Sequence, residues 1–258
     1  LKNKNPIIVF KESFDNEIIY LKISSTSSIE SSLEWMDSNS LNESTKIKYI
    51  GLGLYYGIMA GLVFYNLFLF FSLRKKAYFW YVLYVTGFII FQTLLDGIIS
   101  DFLNIPKQAL YKYISLSGYL IGLVMIQFAK DYLDLKKYRK TMIFSIYLTS
   151  GTAFALILAW LIIPPTTSIG LMVVFSFIVV TSMIISGLSA YSNGDPRGKF
   201  FLVAWFFLLL GIIVNGLRTF GIRNYNIFTA NAMQIGSMME VLLLSFGLAH
   251  LYRKIEDD

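Results

Sequence analysis

The chain has 258 residues, 56% hydrophobic, 17% aromatic and only 15% charged, with a net charge of +6 and no cysteine. The absence of cysteine excludes a disulfide framework, a haem thioether and a thiolate metal site. The positive charge does not mark a nucleic-acid binder: residues 1–48 hold 6 basic and 7 acidic residues, and the surplus lies in short loops beyond them.

Residues 1–48 are polar and Ser-rich toward their end. Two stretches read as strands, Ile7–Phe10 after Pro6 and Ile18–Ser24, the second with Ile19, Leu21 and Ile23 on one face. Two strands bury no core and protect no edges, so they read as the last strands of an extracytoplasmic β domain whose earlier part is missing. A floppy polar tail is the competing reading. The chain starts at Leu1 with no apolar leader before residue 49, so an upstream segment is expected to have been removed. Ser38–Ser44 reads as a linker.

From residue 49 the pattern changes. Apolar runs of 20–25 residues cover Tyr49–Leu73, Ala77–Ile99, Leu110–Ala129, Thr141–Ile163, Ser168–Ala190, Lys199–Thr219 and Phe228–Leu251. A hydrocarbon core about 30 Å thick needs about 20 apolar residues of helix. Seven such helices in a row leave no polar outer face for a water-soluble protein. The fold class expected is an all-α membrane protein: a seven-helix transmembrane bundle over residues 49–252, preceded by a β-strand remnant, with 253–258 starting a cytoplasmic tail.

The loops alternate in charge. One set carries Arg74, Lys75 and Lys76; Lys130, Lys136, Lys137, Arg139 and Lys140; Arg197 and Lys199; and Arg253 and Lys254. The other set carries only Lys107, Lys112, Arg218 and Arg223. Short Lys/Arg-rich loops stay in the cytoplasm, which places the N-terminus outside and the C-terminus inside. The same charges suit anionic lipid headgroups. Within the first run, Gly53, Gly57 and Gly61 form one stripe, expected to let a neighbouring helix approach closely. Tyr49, Tyr78, Trp80, Tyr111, Tyr113, Tyr132, Tyr138 and Trp160, near run ends, read as interfacial anchors. Asn193-Gly194-Asp195-Pro196 is a strong turn signal.

Polar residues inside the runs are costly unless they face protein or water. They are Asn66; Gln92 and Asp96; Gln127; Asn215 and Arg218; and Asn231, Gln234 and Glu240. By rise per residue, Glu240 lies near the midplane and is expected to be protonated or hydrogen-bonded. Arg218 lies too shallow for it, so Asp96 is the expected partner of Arg218, while Asn215 matches Asn231 and Gln234 in depth. Helix-to-helix hydrogen bonding is the plainer role for this set; a ligand- or proton-coupled switch centred on Glu240 is the sharper one.

The catalytic inventory is thin. His250 is the only histidine, there is no phosphate-binding Gly-rich loop and no nucleophile elbow, and the last run has no lysine for a retinal Schiff base. No catalytic, metal or cofactor residue is assigned.

Several stretches resemble the bacterial seven-transmembrane receptors with diverse intracellular signalling modules. Residues 19–25 (IYLKISS) are similar to the closing strand of that family's extracytoplasmic β-sandwich. Residues 53–58 (GLYYGI) and 65–70 (YNLFLF) resemble its first membrane helix, 74–84 (RKKAYFWYVLY) its first cytoplasmic turn and second helix, and 240–250 (EVLLLSFGLAH) the end of its seventh. The resemblance spans about residues 17–255. It implies a sensor in the bacterial inner membrane with an extracytoplasmic ligand, of which carbohydrate is one class. It further implies a cytoplasmic signalling domain in cis or a partner in trans, and is compatible with a homodimer, although the glycines could equally serve contacts within one bundle. The chain itself is expected not to be an enzyme. The alternative is a small-solute or proton-coupled transporter using Glu240 and Asn215.

Overall fold

In the computed structural model, residues 36–103, 106–137, 140, 143–219 and 226–257 are described. The two candidate strands lie outside them. Among the described residues seven principal helices follow in order: α1 (Ser38–Leu73), α2 (Lys76–Leu95), α3 (Lys107–Tyr132), α4 (Leu148–Trp160), α5 (Pro165–Ser192), α6 (Pro196–Thr219) and α7 (Ala232–Asp257). Two short helices, Ile98–Leu103 and Ile227–Ala230, lie in the α2–α3 and α6–α7 connections. Among the described residues, six helices are long and apolar enough to cross a membrane, and Phe144–Trp160 is a shorter apolar helix. The protein is a multi-pass membrane protein.

Three segments depart from the sequence reading. Ser38–Ser44 is not a linker but the first turns of α1, because Asp37 caps the helix by accepting from the backbone N–H groups of Asn39 and Ser40, both at 3.3 Å. At 36 residues α1 is about 54 Å long. In the fourth run a π-turn, Ile143–Tyr147, leads into α4, and the helix ends at Trp160, short of Ile163, because Pro164 and Pro165 disfavour helical backbone just before them. The seventh run is broken at Asn231 between Ile227–Ala230 and α7. The Asn193–Pro196 turn forms as read, with Gly194 at φ 78°, a conformation that favours glycine.

The helices adjoin in the cycle α1–α2–α3–α5–α6–α7, closed by α7 against α1, while α4 packs on α3 and α5. Lipid is as apolar as leucine, so close packing and hydrogen bonds hold such a bundle together. The most extensive interface, α6 against α7, crosses at glycine. A Cβ on Gly211 would sit 2.5 Å from the Ala232 carbonyl oxygen, and one on Gly236 2.6 Å from that of Phe207. A column of near-parallel rings runs through the core: Tyr84–Phe128 at 6.5 Å, Phe128–Tyr132 at 5.3 Å and Tyr132–Phe201 at 6.0 Å. It ties α2, α3 and α6 together. Hydroxyls pin α4 to α5, with Thr149 donating to Ser182 at 2.8 Å and Ser186 to Ser145 at 3.0 Å.

The glycine stripe of α1 is a correction. Among the described residues nothing lies within 4 Å of where a Cβ on Gly53, Gly57 or Gly61 would sit, so the three face away from the neighbouring described helices. Tyr78 and Tyr132 are likewise not interfacial anchors, because both are buried in the core. Trp160 keeps an edge position: its Nε1 donates to the Lys112 carbonyl at 2.8 Å, and Lys112 Nζ lies 5.0 Å from its ring.

At the basic end of the bundle, Asp195 caps α6 by accepting from the Arg197 N–H at 3.0 Å and clamps the Arg197 guanidinium. Arg197 also donates to the Tyr132 carbonyl at 3.2 Å, bonding the α5–α6 turn to α3. Burial works to raise the Asp195 pKa, but the hydrogen bonds and charge of Arg197 outweigh it and hold the carboxyl below its ordinary value.

Two outcomes follow for purified protein in detergent. Gly236→Val, whose branch meets the backbone of α6, should lose about 1–3 kcal/mol, whereas Gly57→Ala should be neutral or gain about 0.5–1 kcal/mol; equal melting temperatures for both would contradict the crossing. The stabilisation from Asp195 is fully present above an unfolded carboxyl pKa of about 3.9 and is lost as pH falls below it. Acid unfolding of Asp195→Asn should therefore show a flatter pH dependence than that of the parent chain.

Candidate functional site

The buried amide and carboxyl side chains gather on one seam where α1, α2 and α7 meet. Along α7 the residues turned into it are Gln234, Ser237, the adjacent Glu240 and Val241, and Ser245, on one side of the helix and spanning about 16 Å.

At the level farthest from the basic end, the Asp96 carboxylate just past α2 collects three donors. Tyr56 of α1 donates its hydroxyl to Oδ2 at 2.6 Å, Gln234 of α7 its amide to Oδ2 at 3.0 Å, and Gln92 its amide to Oδ1 at 3.3 Å. A carboxyl acceptor with donors converging from three helices is a strong joint.

One to two turns along, Glu240 is completely buried. Its Oε2 accepts from the Tyr84 hydroxyl of α2 at 2.7 Å. Tyr81, one turn before Tyr84, donates to the Val241 carbonyl at 2.7 Å, and Tyr55 of α1 shares a 3.0 Å hydrogen bond with Ser237. Nearest the basic end, the Asn66 amide donates to Ser245 Oγ and to the Leu62 carbonyl, both at 2.9 Å. Three acceptors on this seam, Glu240 Oε1, Gln92 Oε1 and Asn66 Oδ1, are buried without a hydrogen-bond partner among the described residues. A seam with spare acceptors can exchange one set of bonds for another without losing any.

Of the sequence candidates, the structure brings together Asp96 with Gln234, and places Asn66 and Glu240 on the same seam at other levels. It does not pair Asp96 with Arg218: the side chains holding Asp96 are Tyr56, Gln92 and Gln234. Arg218 and Asn215 sit half-buried on α6. Asn231 lies in the turn before α7, and Gln127 accepts from Lys130 at 2.8 Å along its own helix. The sequence reading passed over Tyr55, Tyr56, Tyr81, Tyr84, Ser237 and Ser245. The available signal was position: Tyr81 and Tyr84 lie five and eight residues inside α2, too deep for anchors at a run end. His250 is on α7.

The chemistry this arrangement supports is hydrogen-bond exchange between helices. Among the described residues no group of histidine and acidic side chains is placed to hold a metal ion. Removing the Tyr84 hydroxyl leaves a buried carboxyl with neither oxygen bonded. Tyr84→Phe should therefore destabilise the bundle by about 0.6–1.7 kcal/mol, and adding Glu240→Gln should cost less than the sum of the single changes in a double-mutant unfolding cycle. Strict additivity would mean the two side chains do not interact.

No curated protein and no solved structure matches the chain. The family described as 7TM diverse intracellular signalling matches residues 48–251. That stretch enters all seven principal helices and contains every residue of the seam, and the chain belongs to the 7TM diverse intracellular signalling family.

Proposed function

We propose that this chain is the membrane-spanning sensor part of a bacterial inner-membrane receptor, itself non-enzymatic, that relays an extracytoplasmic signal to a cytoplasmic output domain fused in cis or bound in trans. The N-terminus lies outside and the Lys/Arg-rich end of the bundle faces the cytoplasm, an orientation supported by the loop charge asymmetry. The extracytoplasmic ligand is of carbohydrate class in this reading, which the family resemblance supports.

The observation that carries the proposal is the connection between the first and last helices. α1 is one unbroken helix from Ser38 to Leu73, and it is hydrogen-bonded to α7 at Tyr55–Ser237 and Asn66–Ser245. A push, pull or twist on its outer end meets no joint before reaching α7, and α7 continues as helix to Asp257. The spare acceptors at Glu240, Gln92 and Asn66 give the seam a second bonding arrangement, so a ligand that favours one arrangement shifts the population between the two.

The chain has no native cysteine, which makes a clamp simple to build. In the full-length protein with its output domain, a disulfide across Tyr55→Cys and Ser237→Cys should freeze output at one level and reductant should release it. Reporters fused near residue 36 and after residue 257 should be active on opposite sides of the membrane. Unchanged output with the clamp closed, or reporters on the same side, overturns the relay. Solute uptake into proteoliposomes that is abolished by Glu240→Gln overturns it in favour of a transporter.

A further inference from the structure

We infer that Glu240 is a proton-binding site loaded from the extracytoplasmic side, and that its protonation state decides whether Tyr55 stays bonded to Ser237. The site follows from the seam alone; its effect on output rests on the sensor reading.

Whatever binds at Glu240 has to be very small. Glu240, Ser237, Tyr81 and Val241 are fully buried, and Tyr84 and Tyr55 are 1% and 6% exposed. The Tyr84 hydroxyl donates to Oε2 at 2.7 Å, while Oε1 is buried without a hydrogen-bond partner among the described residues. An ionised carboxyl held by one neutral donor in hydrocarbon lacks most of the bonds that would offset its desolvation. A proton needs no cavity and removes the charge. The titratable side chains facing Glu240 are Tyr81 and Tyr84 from α2 and Tyr55 from α1, with Asp96 farther out. Tyr132 of α3 meets α7 two turns past Glu240, at Gly247. The charged residues of α6, Arg197, Lys199 and Arg218, stand in its first and last turns. On α7 itself the next titratable residue is His250, about 15 Å along the helix.

The polar seam leads away from the basic end. Asp96, partly exposed at the far end, is bonded to Gln234. Ser237 donates to the Gln234 carbonyl at 3.0 Å and shares its 3.0 Å bond with Tyr55. Tyr55 lies within electrostatic reach of both carboxyls, Asp96 and Glu240. From Gln234 to Glu240 is about 9 Å of helix. In the other direction the seam passes the Asn66–Ser245 pair and meets Leu248, which is fully buried. Chains of carboxyls and hydroxyls are the usual proton routes inside membranes.

Losing the proton leaves Oε1 as a charged acceptor in need of a donor. On the outward side the next hydroxyls are those of Tyr55 and Ser237, one turn away along α7. Turning either one toward Oε1 breaks their mutual bond, one of those that tie α1 to α7. A hydrogen bond to a carboxylate is roughly twice as strong as a neutral one, so the exchange is favourable. In this step one O–H bond breaks at Glu240 and one forms on an outside water; nothing is oxidised or reduced. The two bonding arrangements of the seam are then its two proton states.

The test uses the full-length protein with its output domain, oriented in lipid vesicles. Outside pH is scanned over about 4 to about 9, the range in which carboxyls inside proteins titrate. By difference infrared spectroscopy one protonated-carboxyl band should disappear as outside pH rises. It should be missing at every pH in Glu240→Gln and shifted in frequency in Tyr84→Phe. Output should change about threefold or more over the scan in the parent and stay flat in Glu240→Gln, with thermal unfolding in detergent checking that the variant folds. A band that survives Glu240→Gln, or one that follows inside pH only, overturns the proton site whatever the output does. A band that behaves as expected beside output that is pH-independent, yet still frozen by the Tyr55–Ser237 clamp, overturns the link between proton and bond while leaving the relay standing.

Discussion

A hydrogen-bonding group inside hydrocarbon has no water to turn to, and that constraint decides where each helix of this bundle sits. Glu240 is tolerable at the centre of the fold because Tyr84 stands opposite it at 2.7 Å. Asp96 is tolerable because three helices send donors to it. The demand works in both directions: a buried carboxylate that must be satisfied also dictates which helices lie next to it. α1 makes the point most clearly. With little of its surface buried, it is attached by Tyr55, Tyr56 and Asn66, each bonded to a partner on α7 or at the end of α2.

The bundle consequently has two regions held by different means. On the α3, α5 and α6 side, contacts are apolar or short-range hydroxyl bonds: the ring column through Phe128, Tyr132 and Phe201, and the Ser115–Ser168 pair at 2.7 Å. Interdigitated packing of this kind resists sliding. On the α1, α2 and α7 side, long polar side chains reach across, and such bonds can be re-made after a small displacement. The two regions meet at α7, which carries the seam on one face and the Gly211–Gly236 crossing on another. Tyr132 joins them again near the basic end, where its hydroxyl lies against Gly247 while its carbonyl holds Arg197.

Much of this was legible in the residues. Apolar runs long enough to span a bilayer are set by composition and length, and both survive folding. Depth along a helix was legible too, because rise per residue is constant: Glu240 was read as lying deep in the last run, and it is completely buried. Direction around each helix was not. Depth matched Asp96 to Arg218, yet the fold turns Asp96 toward Tyr56 and Gln234. The glycine stripe was visible, but its orientation depends on which neighbours α1 acquires, and those are settled by Tyr55 and Asn66. Tyrosine was misjudged for a related reason: the same side chain anchors at a surface or donates in a core, and only its neighbours distinguish the two. Helix ends escaped where a local device intervened, the Asp37 cap that extends α1 and the paired prolines that cut α4 short.

The length of α5 has a mechanical corollary. From Pro165 to Ser192 it rises about 42 Å, against a hydrocarbon core about 30 Å thick. Either the acyl chains beside it stretch or the helix leans. Each ångström of such disagreement costs a fraction of a kcal/mol, so a change in bilayer thickness loads α5 and reaches its neighbour through the hydroxyls of Ser145, Thr149, Ser182 and Ser186.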